Sequence, residues 1–137
     1  MTALAAPEND GAGTPSTQTA TKLPEAEDGV ITLTSDVTIS DVLNVRDETA
    51  NTIDLNGFTL SVTRLDSYTD LTIMDSSTDG RGTLTSKESI TCVVWGKHSI
   101  TLESGAIRNT SKEGTTIFNL GTFTMNGGVI SGDTVVY

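Results

Sequence analysis

Asp75 and Asp79, four residues apart in DSSTDGRG (75–82), are the side chains in this sequence best spaced to hold a cation. Two carboxylates helped by loop carbonyls offer the oxygen donors that Ca²⁺ takes. The segment lacks the D-x-D-x-D-G run and closing Glu of an EF-hand, and the tandem nonapeptides of a calcium-binding β-roll. Asp and Gly also make tight turns without any ion. A turn is therefore the expectation here, with no metal and no cofactor required.

Acid–base chemistry is no better supplied. A polysaccharide lyase needs acidic calcium ligands on one face and a basic residue poised over them, and a glycosidase needs two carboxylates across a cleft. Arg64, Arg81 and Arg108 read as loop or strand-end residues, and no pair of them falls beside two carboxylates at matching places in the chain. Asp54, Asp75 and Glu103 are acids of the kind that any acidic chain offers. Cys92 and His98 are close enough in sequence to consider a nucleophile pair. Yet Cys92 alternates with Ile90 and Val94, as a small buried hydrophobe does, and VVWGK reads as a turn between strands. The chain is expected not to be an enzyme, with a lyase-like activity as the minor alternative.

Trp95, the only tryptophan, stands beside Gly96 and Lys97 and is placed at a corner. An exposed indole there could stack on a sugar ring or anchor a protein contact, whereas a packed one would fill a neighbouring loop. Asn109-Thr-Ser matches a glycosylation sequon, which carries little without an export signal.

Such side chains need a scaffold, and composition narrows it. Only 35% of residues are apolar and 4% aromatic, so a core must be filled by Val, Ile, Leu and Met in a regular stack. Thr, Ser, Gly and Asp dominate elsewhere and suit strands and turns. No segment sustains a helical apolar period. The net charge of −10 argues against nucleic-acid binding, since phosphates would be repelled. The eight basic residues are scattered along the sequence. One cysteine allows no intrachain disulfide. No apolar run reaches the ~18 residues of a membrane span. Residues 1–20 have neither a basic nor an apolar signal region, so the expectation is a chain that does not use the general secretory route.

The sequence divides in two. Residues 1–28 hold all three prolines (Pro7, Pro15, Pro24) and no Val, Ile or aromatic residue. Such a stretch cannot offset its own conformational entropy by burial. It is expected to be an extended arm that orders along a partner, with Leu4, Pro7, Pro15, Leu23 and Pro24 as contact residues. From Gly29 onward short alternating strands follow one another, separated by Asn-Gly, Asp-Gly and Gly-Gly turns.

A repeat organises this second part. SITLESGAI (99–107) and TFTMNGGVI (122–130) superpose without a gap, placing Ile100 on Phe123, Leu102 on Met125, Gly105 on Gly128 and Ile107 on Ile130. One step earlier, Gly82 precedes Gly105 and Leu84 precedes Ile107. Ile53 to Leu71 is read as a step of 18 and Leu71 to Ile100 as one of 29, implying a loop of variable length. Three short strands per period of this size read as one solenoid coil. The expected fold is all-β: a three-faced parallel β-helix of four to five coils over 29–137, right-handed because parallel crossovers are. An antiparallel sandwich is the alternative, disfavoured by the equal glycine spacing. DTVVY (133–137) reads as a strand without a cap, so either the natural chain continues or a neighbour covers that end.

GVITLTSDVTISDVLNV (29–45), NTIDLNGFTLSV (51–62), LTIMDSS (71–77), SITLESGAIRNTS (99–111) and GTFTMNGGVISG (121–132) resemble the repetitive β-helix segments of surface and phage-associated proteins of gut Firmicutes. This resemblance implies a pectate-lyase-like solenoid without specifying an activity. Such segments occur in both phage and cell-surface proteins, and the arm, the missing signal region and the uncapped end favour a virion head fibre or capsid decoration protein, trimeric, gripping the capsid through residues 1–28 and adhering to a surface glycan. A bacterial cell-surface adhesin or carbohydrate-binding module is the other expectation.

Overall fold

The computed structural model describes residues 19–136 apart from 47, 49, 87–91, 112, 113 and 133. Leu4, Pro7, Pro15 and Ile90 lie outside the described residues. The strands are β1 (Val30–Thr32), β2 (Val37–Val45), β3 (Thr52–Asp54), β4 (Thr59–Ser67), β5 (Leu71–Met74), β6 (Thr83–Ser86) and β7 (Cys92–Gly96), followed by β8 (Ile100–Leu102), β9 (Ala106–Asn109), β10 (Thr115–Asn119), β11 (Phe123–Met125), β12 (Val129–Ser131) and β13 (Thr134–Val136). The pairings between these strands are parallel, which excludes the antiparallel sandwich.

Three faces follow from which strand lies on which. The first is the sheet β1-β3-β5-β8-β11. The second and third share one hydrogen-bonded sheet because β4 serves both. Its first part, around Leu60, pairs with β6, and its last part, Leu65–Ser67, pairs with β7. From there β6-β9-β12 continue the second face and β7-β10-β13 the third. The stack is a parallel β-solenoid of about four turns.

Alternation turns each rung into a core ladder. Ile31, Ile53, Ile73, Leu102 and Met125 stack on the first face. Val37, Leu60, Leu84, Ile107 and Ile130 stack on the second, and Leu43, Leu65, Val94 and Ile117 on the third. Most of these side chains are buried, and burying each contributes roughly 1.5–3 kcal/mol. Successive residues of a strand alternate inward and outward, so Thr52, Thr72, Thr101 and Thr124 form an outer column on the first face.

Ile100 lies on Phe123 and Leu102 on Met125, as the repeat requires. The spacing of 18 does not survive: Ile53 pairs with Ile73, a step of 20, and the next steps are 29 and 23. A slip of two residues keeps every apolar side chain inward, so alternation alone does not detect it. Gly105 and Gly128 adopt φ of 88° and 83°, which a side chain disfavours. Gly82 has another reason: a Cβ there would come within 2.7 Å of that of Leu55.

The two ends of the stack are unlike each other. Ala20 pairs with Val37 and exchanges backbone bonds with Asp36 and Thr38, while Leu23 packs on the core. Ala20 and Leu23, within the segment read as the arm, are thus joined to the first coil. At the other end Leu120, Met125 and Val129 are exposed on and beside the last rung.

Candidate functional site

Two corners gather the polar side chains, and they differ in kind. The corner from the first face to the second carries the aspartates. Leu55–Phe58 and Asp75–Gly82 are the loops there in successive coils. Asp54 Oδ1 accepts the amides of Asn56 and Ser76, both at 2.9 Å. Asp75 is more heavily engaged. Its Oδ1 accepts the Gly57 amide at 2.8 Å, the Ser77 amide at 3.1 Å and the Ser77 hydroxyl at 2.7 Å, while Oδ2 accepts the Gly82 amide at 2.7 Å. Burial acts to raise the pKa of this carboxyl, but the bonds from Ser77, Gly82 and Gly57 outweigh it and hold it below the usual range.

Asp75 thus staples two coils together, with both oxygens occupied. Asp79 is exposed, accepts the Arg81 amide and pairs loosely with its guanidinium at 3.5 Å. Among the described residues no three His, Cys, Asp or Glu side chains are grouped as metal ligands. Excess chelator is expected to leave the melting temperature unchanged. A large drop reversed by Ca²⁺ would make this loop a ligand site instead.

The second corner joins the third face to the first. It is built from the connection 46–51 and then from three-residue turns, Tyr68–Asp70, Lys97–Ser99 and Leu120–Thr122. Because Val45, Ser67 and Gly96 are in register, the residues after them, Arg46, Tyr68 and Lys97, form one column. The Arg46 guanidinium lies 4.2 Å from the centre of the Tyr68 ring, and the Lys97 ammonium 5.7 Å from it. Lys97 is also 5.4 Å from the Trp95 ring, which meets Tyr68 edge-on at 6.3 Å and 62°. Exposed cation–π contacts contribute about 0.5–1 kcal/mol each, enough to orient the cations without neutralising them.

Trp95 is not at a turn. VVWGK runs into a strand, and Trp95 lies half-buried in an outer row between Asp66 and Phe118. Around the corner, Tyr68 also borders a cavity of about 260 Å³ with Asn51, Thr69, Asp70 and His98. Asp70 Oδ1 accepts the Ser99 amide at 3.0 Å, fixing the turn.

The remaining expected residues are not brought together. Cys92 is buried at the start of β7, whereas His98 is exposed beyond its end. Arg64 lies in the middle of β4, not at a loop or strand end, whereas Arg108 is near the end of β9 and Arg81 in the loop before β6. Arg64 is clamped on Asp66, its second contact being 2.7 Å, and this pairing raises its pKa against desolvation. Glu103 is exposed and accepts from the Asn126 amide. Asn109 of the sequon is buried, its amide donating to the Thr115 carbonyl. Of the arm's expected contacts, Leu23 is packed on the chain's own core and Pro24 is half-buried.

The column Arg46–Tyr68–Lys97 escapes a reading of the sequence. Its signal is the position directly after each third-face strand, which emerges only once the unequal steps are aligned. The chain matches no protein-family model, no curated protein and no solved structure.

Proposed function

We propose that this chain is a non-enzymatic surface-display solenoid, a virion head fibre or capsid decoration protein, with residues 1–28 leading to the attachment point and the outer faces available for glycan adhesion. The observation that carries the reading is the use of the corner carboxylates. Asp54 and Asp75 are committed to backbone amides of adjacent coils, so they act as fasteners of a rigid rod rather than as acids or bases. The root of the arm supports this geometry. Ala20 pairs with Val37 and Leu23 packs on the core, so the described part of this segment is rooted on the first coil.

A second reading, a bacterial cell-surface adhesin or carbohydrate-binding module, is favoured by Leu23. Its apolar surface is used within the chain rather than kept for a capsid.

Fractionating the producing culture separates the two. An antibody against the solenoid is expected to detect the protein in purified particles, and deletion of residues 1–18 to remove it from them. Detection only in the cell envelope would replace the virion reading with the adhesin one. Detection in neither fraction would overturn both.

A further inference from the structure

We infer that the corner formed by Tyr68, Trp95 and Lys97 binds an acidic carbohydrate, with a sugar ring in the adjoining cavity and its anionic group at the cations. The inference rests on the glycan-adhesion part of the proposed function and names its ligand class. Three observations converge on Tyr68. Its ring is flanked by Arg46 and Lys97, its edge contact is Trp95, and it forms part of the cavity wall.

The cavity chemistry suits a sugar. About 260 Å³ falls below the ~300 Å³ at which pockets for drug-sized ligands begin, which fits a single ring. Asn51, Asp70 and His98 supply donors and acceptors around it. Asn51 Oδ1 already accepts from the Thr52 hydroxyl and Asp70 Oδ1 from Ser99, which leaves the Asn51 amide hydrogens and Asp70 Oδ2 for ligand hydroxyls. An apolar ligand would leave these groups unsatisfied, at a cost in affinity.

The charge pattern selects the anion. In a chain of net charge −10, the ring column places two cations, Arg46 and Lys97, with His98 one residue beyond. Lys97 is exposed and makes no ion pair among the described residues. Among the described residues, Asp66 is occupied by Arg64, and Asp70 stands on the cavity wall. A carboxylate on the sugar gains a charge-assisted partner that a neutral sugar lacks.

Titration calorimetry on the full chain with oligogalacturonate, its methyl ester and neutral maltooligosaccharide tests this, with dextran sulfate distinguishing sulfate from carboxylate. Oligogalacturonate is expected to bind at least about tenfold more tightly than its ester, and Lys97→Glu to remove that preference. His98→Ala should weaken every sugar bound in the cavity. Trp95→Ala is checked for an intact thermal transition, and Lys97→Met reports on the charge alone should it misfold. Equal binding of acid and ester, or a Lys97→Glu protein that keeps the preference, overturns the acidic ligand and leaves glycan adhesion standing. Tighter binding of dextran sulfate than of oligogalacturonate supports the acidic ligand and makes its anionic group a sulfate. Absence of binding to every glycan overturns adhesion as well.

Discussion

Leu102→Asp is expected to destabilise the fold by about 3–5 kcal/mol, because it would bury a charge without a partner. Leu102 is fully buried in the first-face ladder, between Ile73 above and Met125 below. No described cation faces that ladder, so the carboxylate would have to protonate or open the stack. Total stabilities of single domains are about 5–15 kcal/mol, so the loss is a large part of what holds the coil together. The melting temperature should fall by on the order of 15 °C, or the cooperative transition should vanish. Thr101→Asp, one residue away in the outer column, is the control and should cost no more than about 1 kcal/mol. Equal effects at the two positions would mean that alternation does not set the inward face here.

Asp75→Ala is expected to cost about 3 kcal/mol, since it strips acceptors from donors in two coils. Asp75→Asn should be nearly as harmful. One acceptor oxygen is replaced by a donor facing the Gly57 or Gly82 amide. The same carboxylate makes stability depend on pH. Its pKa is depressed in the folded state, so protons bind more readily to the unfolded chain as pH falls. The contribution is complete above the unfolded value near ~3.9 and disappears as pH drops through the lower folded value. Melting temperatures measured from about pH 6 down to pH 2 should therefore fall more steeply for the native chain than for Asp75→Asn. Parallel profiles would show that Asp75 is not a charged fastener.

Particular residues show how far the sequence carried the fold. Ile100 over Phe123 and Leu102 over Met125 were legible because the loops that follow these strands, 103–105 and 126–128, are equal in length, so identical spacing exposes the register. Gly105 and Gly128 were legible for the same reason. The first turns were not. The loop Asp75–Gly82 and the unbroken β4 change the length of a coil, and a shift by two residues preserves the alternation that defines a strand.

The aspartate corner was half legible. DSSTDGRG announces a turn, but only the packing of coils shows that Gly57, from the coil before, also donates to Asp75. The aromatic–cation corner was decided by tertiary structure alone. Arg46, Tyr68 and Lys97 are 22 and 29 residues apart and share no local motif. Parallel stacking brings such positions within side-chain reach, because it places successive coils one strand spacing apart, ~4.8 Å, whatever the length of chain between them. Sequence by itself determined that apolar side chains alternate and must stack. Which outward side chains meet was set by the lengths of the loops, and those became meaningful only when the coils closed on one another.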